Sequence, residues 1–289
     1  MFEQFPTPHL VPFDGGFVLD SQPTAPETPE PKKVYKQRLL EHASALYELQ
    51  RKFYAHDKQA LLLIFQAMDA AGKDSTIRHV MHYVNPAGCQ VYSFKQPSAE
   101  ELDHDFLWRS NKRLPQRGRI GIFNRSYYEE VLVVRVHPEY LENQKLPADI
   151  DRDTLWRDRF EAIRNMEKYL AQNGVVILKF WLNVSRDEQK RRFLARLDEP
   201  EKNWKFSASD VRERRYWDQY MVAYEDALNA TSRPWAPWYA IPADNKPYAR
   251  AIVAEIIAST LKAIDPRYPS VTKAQRARFA EARAELEGE

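Results

Sequence analysis

The chain has 289 residues, of which 44% are hydrophobic, and its formal net charge at pH 7 is +2. This size and composition are typical of one large globular domain or of a domain with appendages. The near-neutral charge gives no argument for a nucleic acid or a membrane as partner. Cys89 is the only cysteine, which excludes a disulfide framework and a cysteine-rich metal site and favours the reducing cytoplasm.

The two ends of the chain are predicted to flank one main domain over residues 33–265. Residues 1–32 are rich in proline, which predicts an extended arm rather than a separate domain. They also lack the pattern of a secretory signal. Residues 33–56 have helical spacing, and residues 266–289 are predicted to hold a peripheral helix, over 272–287, that could serve as an oligomer contact. No apolar run approaches the roughly 18 to 20 residues that span a bilayer.

Short apolar runs alternate with helical patterns through the main domain. The strands are predicted over residues 61–65, 90–94, 119–123, 175–182 and 238–241. The helices are predicted over about 74–84, 98–113, 126–135, 153–172, 186–198, 208–229 and 246–262. Continuous apolar strands between helices indicate a parallel sheet that is covered on both faces. The fold class is therefore an α/β three-layer sandwich with five parallel strands.

The first strand leads into a candidate phosphate-binding loop, with the sequence LLLIFQAMDAAGKDST over residues 61–76. Backbone N–H groups of such a loop cradle phosphate oxygens at the start of a helix, and its lysine brings a positive charge. We expect Lys73 to be that lysine and to be solvated. Asp69 inside the loop would repel phosphate unless a cation lay between them, so it is a candidate Mg²⁺ ligand or base. The other candidate phosphate-binding residues of the loop are Ala70, Ala71, Gly72, Asp74 and Ser75. The alternative is an ordinary strand, turn and helix in which the lysine is structural.

A second motif follows the third predicted strand and has the sequence NRSYYEE over residues 124–130. Ligands of parallel sheets bind at the carboxyl ends of the strands, which gathers Lys95, Asn124 and Arg125 beside the loop. Kinases with a phosphate-binding loop often carry an acid and an arginine at this position, for metal and transferring phosphate. In this chain the acid is replaced by Asn124, and Glu129 stands further on. The alternative is a helix start with acids in its first turns.

Two basic stretches are candidates for contact with a polyanion. The first runs over residues 106–125 and includes Arg113, Arg117 and Arg119. The second lies within a predicted helical lid at about 186–220 and includes Arg186, Lys205 and Arg215. A lid that closes over phosphates would exclude water from the transfer. The alternative is an amphipathic helix pair with solvated arginines. Acids in the same stretch argue against a nucleic-acid surface.

These motifs together resemble the family-2 polyphosphate kinases over roughly residues 35–265. The resemblance rests on MDAAGKD at 68–74, FNRSYYE at 123–129, NWKFS at 203–207, RERRYW at 212–217 and VYSFKQP at 91–97. It implies a thymidylate-kinase-like fold with a helical lid, Mg²⁺ as cofactor, a homo-oligomer, and functional roles for Asp69, Lys73 and Arg125. Many members have DRSWYN at the second motif, so Asn124 and Glu129 depart from that version. The variant resembles the subgroup that accepts nucleoside mono- and diphosphates.

The prediction for function is therefore Mg²⁺-dependent transfer of the terminal phosphate of inorganic polyphosphate to AMP and ADP. Adenine nucleotides are expected as acceptors, with guanine nucleotides left open, and the oligomer is expected to be a dimer or tetramer in the cytoplasm. Glu129 is expected to take part in the choice of acceptor. The alternatives are a conventional ATP-dependent nucleotide kinase and a non-catalytic polyanion-binding protein with a decayed loop.

Overall fold

A single parallel sheet of five strands forms the centre of the computed structural model, which describes residues 4–289. The strand order is β2-β3-β1-β4-β5. The strands are β1 (Ala60–Gln66), β2 (Cys89–Ser93), β3 (Ile120–Asn124), β4 (Val175–Asn183) and β5 (Trp238–Pro242). All four strand pairs are parallel. The predicted fold class is confirmed, and every predicted strand boundary lies within one residue of the observed one.

Helices cover both faces of the sheet. Eleven α-helices lie within the described residues: α1 (Lys32–His56), α2 (Lys73–Val80), α3 (Ala99–Leu102), α4 (Trp108–Asn111), α5 (Val133–Val136), α6 (Leu155–Gln172), α7 (Arg186–Asp198), α8 (Ala208–Glu213), α9 (Trp217–Thr231), α10 (Lys246–Ile264) and α11 (Lys273–Glu287). Helices α1, α2 and α10 pack together, and helices α5, α6 and α9 form a second group. Because helices bury both of its faces, β1 is buried along its whole length.

Three of the predicted helices are broken in the structure. The stretch predicted as one helix over 98–113 is two single turns, α3 and α4. The Asp105 carboxylate accepts a hydrogen bond from the backbone N–H of Leu107 at 2.9 Å, which competes with a continuous helix. The stretch 126–135 begins as a 3₁₀ helix because Ser126 is extended (φ −165°) and its hydroxyl caps Tyr128. The stretch 208–229 is divided by a 3₁₀ turn at Arg214–Tyr216.

The arm before α1 pairs with the edge of the sheet. Leu10 forms an antiparallel bridge with Tyr239 on β5. The N–H of Val11 donates to the carbonyl of Trp238 at 2.9 Å, and the N–H of Ala240 donates to the carbonyl of His9 at 2.8 Å. The arm thereby satisfies backbone groups that an edge strand would otherwise leave open.

The end of the chain lies away from the sheet. Every residue of α11 is exposed. None of the helices within residues 4–289 is long and apolar enough to cross a membrane.

Two glycines with positive φ give a matched test of how tightly the amino edge of the sheet is packed. Gly118 has φ +72°, and a Cβ there would lie 2.9 Å from the carbonyl oxygen of Tyr54. Gly15 has φ +84° and no atom within 4 Å of such a Cβ. Gly118→Ala and Gly15→Ala each place an alanine in the left-handed region of φ, which costs about 1–2 kcal/mol of stability. We expect Gly118→Ala to lower the free energy of unfolding by a further ~1–3 kcal/mol, because backbone must move. Urea unfolding measures this, and equal midpoints for the two variants would contradict it.

Candidate active site at the carboxyl edge of the sheet

A cavity of about 390 Å³ opens at the carboxyl ends of β1, β2 and β3. Its floor is the loop after β1, its sides are the segments after β2 and β3, and its roof is formed by α8 and α9. The charged residues of its lining include Asp69, Lys95, Arg109, Arg125, Glu129, Glu130, Asp210 and Glu213. Four of the predicted site residues, Asp69, Lys95, Arg125 and Glu129, are therefore brought to one cavity.

The loop between β1 and α2 has the backbone of a phosphate-binding turn. Ala70 and Gly72 have positive φ values of +61° and +110°, and Gly72 directly precedes α2. A Cβ at position 72 would lie 3.3 Å from Ser75 Oγ, and that hydroxyl donates to the Gly72 carbonyl at 2.9 Å. This turn therefore requires a glycine, and α2 begins where a bound anion would meet its free N–H groups.

Lys73 is more buried than the sequence suggested. The expectation that it is solvated is wrong, because only 9% of the residue is exposed. Its Nζ donates to the carbonyl oxygen of Ala67 at 2.7 Å. Burial, followed by the positive charge of Arg125, lowers the pKa of the Lys73 ammonium. A bound anion would stabilise the charged form of the ammonium in such surroundings.

Helix α7 holds the outer side of the loop. Arg192 Nη1 donates to the carbonyl oxygens of Ala70 (3.0 Å) and Ala71 (2.6 Å). Gln189 Nε2 donates to the carbonyl oxygen of Asp69 at 2.8 Å. Three consecutive carbonyls are thus engaged from outside. These hydrogen bonds fix the backbone of the loop from the α7 side, and within the loop the N–H of Ala71 donates to the carbonyl of Met68 at 3.2 Å.

Arg192 also ties the loop to the end of β5 and to its own helix. Its Nη2 donates to the carbonyl of Ala243 at 2.6 Å, and its Nε lies 2.5 Å from Glu188 Oε1. Sequence reasoning missed Arg192 and Gln189. Their spacing could have indicated that they are buried, because Gln189 and Arg192 lie on the same face of α7 as Phe193.

Arg125 links the two motifs. Its Nη2 lies 2.7 Å from Asp69 Oδ1, and its Nη1 lies 3.3 Å from Glu129 Oε2. Its backbone N–H donates to the carbonyl of Phe65 at 3.0 Å, and its φ is +63°. The Glu129 carboxylate is the main cause of the raised pKa of Arg125. A permanently charged guanidinium therefore stands between two carboxylates at the cavity wall.

Asn124 contacts the start of α2 rather than the cavity. Its Nδ2 donates to Asp74 Oδ1. Asp74 lies in the first turn of α2, where a carboxylate complements the helix dipole. The two residues join the second motif to the phosphate-binding loop from a second side.

The basic residues predicted to contact polyphosphate lie elsewhere. Arg117 Nη1 donates to the carbonyl of Lys58, just before β1, at 2.6 Å. Arg119 precedes β3 and donates to the carbonyl of Ala87. Both arginines are therefore at the amino edge of the sheet, opposite the phosphate-binding loop, and neither lines the 390 Å³ cavity. Their contact with polyphosphate stays a prediction. Arg113 is exposed over the ring of Tyr92 at 5.3 Å, on the outermost strand.

The predicted lid arginines and lysine are exposed in this conformation. None of Arg186, Lys205 and Arg215 lines the 390 Å³ cavity, and Lys205 Nζ stands 4.9 Å from the centre of the Trp204 ring. Other residues of the segment form the cavity roof instead. Asp210 is one, and it pairs with Arg196 at 3.1 Å.

A cluster of buried charges at the far side of the cavity was also missed. Glu130 Oε2 lies 3.5 Å from Arg159 Nη1, and Glu130 Oε1 lies 3.7 Å from Arg109 Nη2. Burial raises the pKa of Glu130 despite these two arginines. A second cavity, of about 310 Å³, shares this cluster as its wall.

A divalent cation at this site would rely on few protein ligands. Within residues 4–289, no group of three or more His, Cys, Asp or Glu side chains is arranged to hold a metal ion. Asp69 and Asp210 line the same cavity, and burial together with the charge of Asp69 raises the pKa of Asp210. One or two carboxylates completed by phosphate oxygens and water is the donor set that suits Mg²⁺.

Comparison with known proteins gives consistent matches. The family model described as Polyphosphate kinase 2 (PPK2) matches residues 30–269. An ADP-polyphosphate phosphotransferase of Rhodopseudomonas palustris is 54% identical over 258 residues, which is 89% of each chain. An AMP/ADP-polyphosphate phosphotransferase of Meiothermus ruber is 45% identical over 78% of this chain and 80% of its own. The crystal structure of polyphosphate kinase 2 from Arthrobacter aurescens TC1 superimposes with a TM-score of 0.83, at 40% identity, over 92% of this chain and 93% of its own.

Two adjacent arginines on α7 test the attachment of the loop. Arg192→Met leaves several buried carbonyls without their donor and removes one of the two arginines that contact Glu188, so we expect the free energy of unfolding to fall by about 2–3 kcal/mol. Arg191 contacts the same Glu188, but its side chain is 76% exposed, and Arg191→Met should change stability by less than about 0.5 kcal/mol. Hydrogen exchange of the loop amides should rise only in Arg192→Met. Equal unfolding midpoints and equal exchange would show that Arg192 does not hold the loop.

Proposed function

The chain belongs to the polyphosphate kinase 2 family, and we propose that it transfers the terminal phosphate of inorganic polyphosphate to AMP and to ADP. The observation that carries the proposal is the cavity lined by the start of the phosphate-binding loop and by the Arg125–Asp69 pair, with the Lys73 ammonium held at 2.7 Å by the carbonyl of Ala67 in the cavity floor. The names of the relatives from R. palustris and M. ruber support these acceptors.

The geometry suits phosphoryl transfer because that reaction needs positioning and charge neutralisation rather than covalent chemistry from the protein. An oxygen of the acceptor's last phosphate attacks the terminal phosphorus of polyphosphate. The bond from that phosphorus to the bridging oxygen breaks, and polyphosphate leaves shorter by one unit. The loop amides and Lys73 hold phosphate oxygens in line, and Arg125 neutralises the charge that the transfer concentrates between the two chains.

Asp69 and Asp210 would hold the Mg²⁺ ion. Both carboxylates line the cavity. Burial, followed by the negative charge of Asp69, raises the pKa of Asp210, and a cation between the two carboxylates would favour their charged forms. When bound, the ion would neutralise phosphate charge beside the loop. Asn124 offers an amide instead of a carboxylate and is engaged by Asp74, so it is not among the proposed ligands.

The segment 186–220 is proposed as the lid. Asp210 and Glu213 of α8 form part of the cavity roof, and Arg214 Nη1 donates to Gln189 Oε1 at 2.6 Å. The roof is thus coupled to the helix that holds the loop. Movement of this segment would bring the exposed side chains of Arg186, Lys205 and Arg215 toward the phosphates.

We also propose that the protein is a cytoplasmic homo-oligomer, a dimer or a tetramer. The fully exposed helix α11, on which Phe279 and Leu286 are 60% and 70% exposed, offers an oligomer contact. Light scattering of the full chain decides this point.

Removal of the loop lysine tests the proposed activity. With polyphosphate and ADP as the only phosphate sources and no ATP added, the wild type should form ATP. We expect Lys73→Ala to lower kcat by about 10²–10³-fold, because one preorganised cation is lost where charge develops. The control is Lys58→Ala, an exposed lysine at the amino edge of the sheet. A Lys73→Ala variant that keeps more than a tenth of wild-type turnover would refute the assignment.

A second variant tests acceptor choice. AMP leaves a phosphate-sized gap between itself and the donor, and a carboxylate at Glu129 could hold water or Mg²⁺ there. We expect Glu129→Asn to lower the rate with AMP by more than the rate with ADP. Glu142→Asn, at an exposed position of the neighbouring 3₁₀ segment, should leave both rates unchanged. Loss of both rates in equal proportion would mean that Glu129 serves only Arg125, its partner at 3.3 Å.

A further inference from the structure

Two phenols of the second motif meet at one buried carboxylate. Tyr127 and Tyr128 are fully buried, and their hydroxyls donate to the same oxygen, Glu167 Oε1, at 2.9 and 2.8 Å. Burial and the charge of Glu167 raise the pKa of both phenols, so both remain protonated donors. Glu167 belongs to α6 and is itself 0% exposed.

A buried lysine of the sheet completes this network. Lys179 lies in the middle of β4 and is 0% exposed. Its Nζ donates to Glu167 Oε2 at 2.7 Å, to the Tyr128 hydroxyl at 2.9 Å and to the Thr231 carbonyl at 2.9 Å. All three ammonium donors are therefore used. The network links the second motif, α6, β4 and α9 through hydrogen bonds that are shielded from water.

Stability alone does not account for such a cluster. A buried ion pair can often be replaced by well-packed apolar side chains without loss of stability, because desolvation of the two charges offsets their attraction. A fully satisfied polar network instead fixes one geometry of the groups that it joins. The tyrosine pair joined by this network follows Arg125 in the chain, with only Ser126 between them.

Arg125 is the residue that needs this support. Its φ of +63° is unfavourable for any residue other than glycine, and such a conformation persists only where the surroundings over-determine it. On one side, its N–H is held by the Phe65 carbonyl at 3.0 Å. On the other side, the chain runs through Ser126, whose hydroxyl accepts from the N–H of Tyr128 at 3.2 Å, into the two anchored tyrosines.

We propose that Glu167 and Lys179 are positioning residues for Arg125, and that they act through the hydroxyls of Tyr127 and Tyr128. They touch no substrate. They fix the backbone from which the Arg125 guanidinium reaches Asp69 and the cavity. The inference rests on the proposed function for its kinetic consequence, but its structural consequence can be measured without activity.

The kinetic test is the double variant Tyr127→Phe/Tyr128→Phe, which keeps both rings and the Glu167–Lys179 pair but removes both phenol links. We expect kcat to fall about tenfold, since small displacements of a positioned group are costly in rate, with the nucleotide KM changed by less than about twofold. The matched control is Tyr35→Phe. Tyr35 is equally buried, and its hydroxyl accepts a hydrogen bond from the N–H of Glu30 at 2.7 Å, in the segment before α1. Its loss should leave kcat unchanged.

A double-mutant cycle separates positioning from general weakening. In an Arg125→Lys background, the two tyrosine changes should lower kcat by less than about twofold, because the group that they position has already been replaced. A further tenfold loss in that background would show that the network acts independently of Arg125 and would overturn the proposal.

Hydrogen exchange gives the readout that does not need activity. In the double variant, exchange of the amides over residues 125–129 should rise at least tenfold relative to the wild type and to Tyr35→Phe. If the double variant does not fold, the same comparison is made with Tyr127→Phe alone, with a rise of at least threefold expected. An inactive wild type would refute the proposed function and leave this measurement valid. Unchanged exchange at 125–129 would overturn the positioning role whatever the activity.

Discussion

The site depends on the place of β1 in the sheet. The chain visits β2 and β3 on one side of β1 and then crosses to β4 and β5 on the other side, which gives the order β2-β3-β1-β4-β5. The segments that follow the strands therefore diverge at the carboxyl end of β1, and a crevice opens there. The phosphate-binding loop leaves β1 at this point. The hydrogen bond from the Arg125 N–H to the Phe65 carbonyl extends the β1–β3 pairing into both motifs, so their separation is set by the sheet.

Charge at this edge is balanced before any ligand is present. Asp69 and Glu129 flank Arg125, and Arg192 is used entirely for backbone carbonyls and Glu188. Lys73 differs, because burial disfavours its charged form and lowers its pKa. An anion bound at the loop would restore what the ammonium has lost in solvation. The loop is therefore arranged so that phosphate, rather than another side chain, completes the charge balance at Lys73.

The sequence predicted the strands well because each is a short, mostly apolar run that lies between helical patterns. The broken helices were harder to predict, since the breaks at Asp105 and Ser126 are side-chain hydrogen bonds to the backbone rather than changes in apolar spacing. For the site, the loop and Arg125 could be located because they directly follow predicted strands. Arg192 was missed because the spacing of Gln189, Arg192 and Phe193 indicates a shared buried face of α7 but does not say which loop that face contacts.

The position of Arg119 at the amino edge follows from the topology of the sheet. Arg119 was predicted as the first residue of the third strand, and the first residue of a parallel strand lies at the edge opposite to the ligands. The position of Arg119 could therefore have been deduced from the predicted strands themselves. The number of positive charges over residues 106–125 does not show which edge of the sheet each side chain reaches.

Asn124 stands where many family members have an aspartate, and this difference changes which carboxylates would need a cation. An aspartate at this position would place its carboxylate against that of Asp74, and the two would repel unless a cation or proton lay between them. The amide of Asn124 instead donates to Asp74 and satisfies that carboxylate at the first turn of α2 without a metal. Asp69 and Asp210 are among the carboxylates that line the cavity, and burial, followed by the charge of Asp69, raises the pKa of Asp210. The chain thus satisfies Asp74 with a hydrogen bond of its own. The Asp69 and Asp210 carboxylates, although paired with Arg125 and Arg196, line the cavity in which phosphates would arrive with their cation.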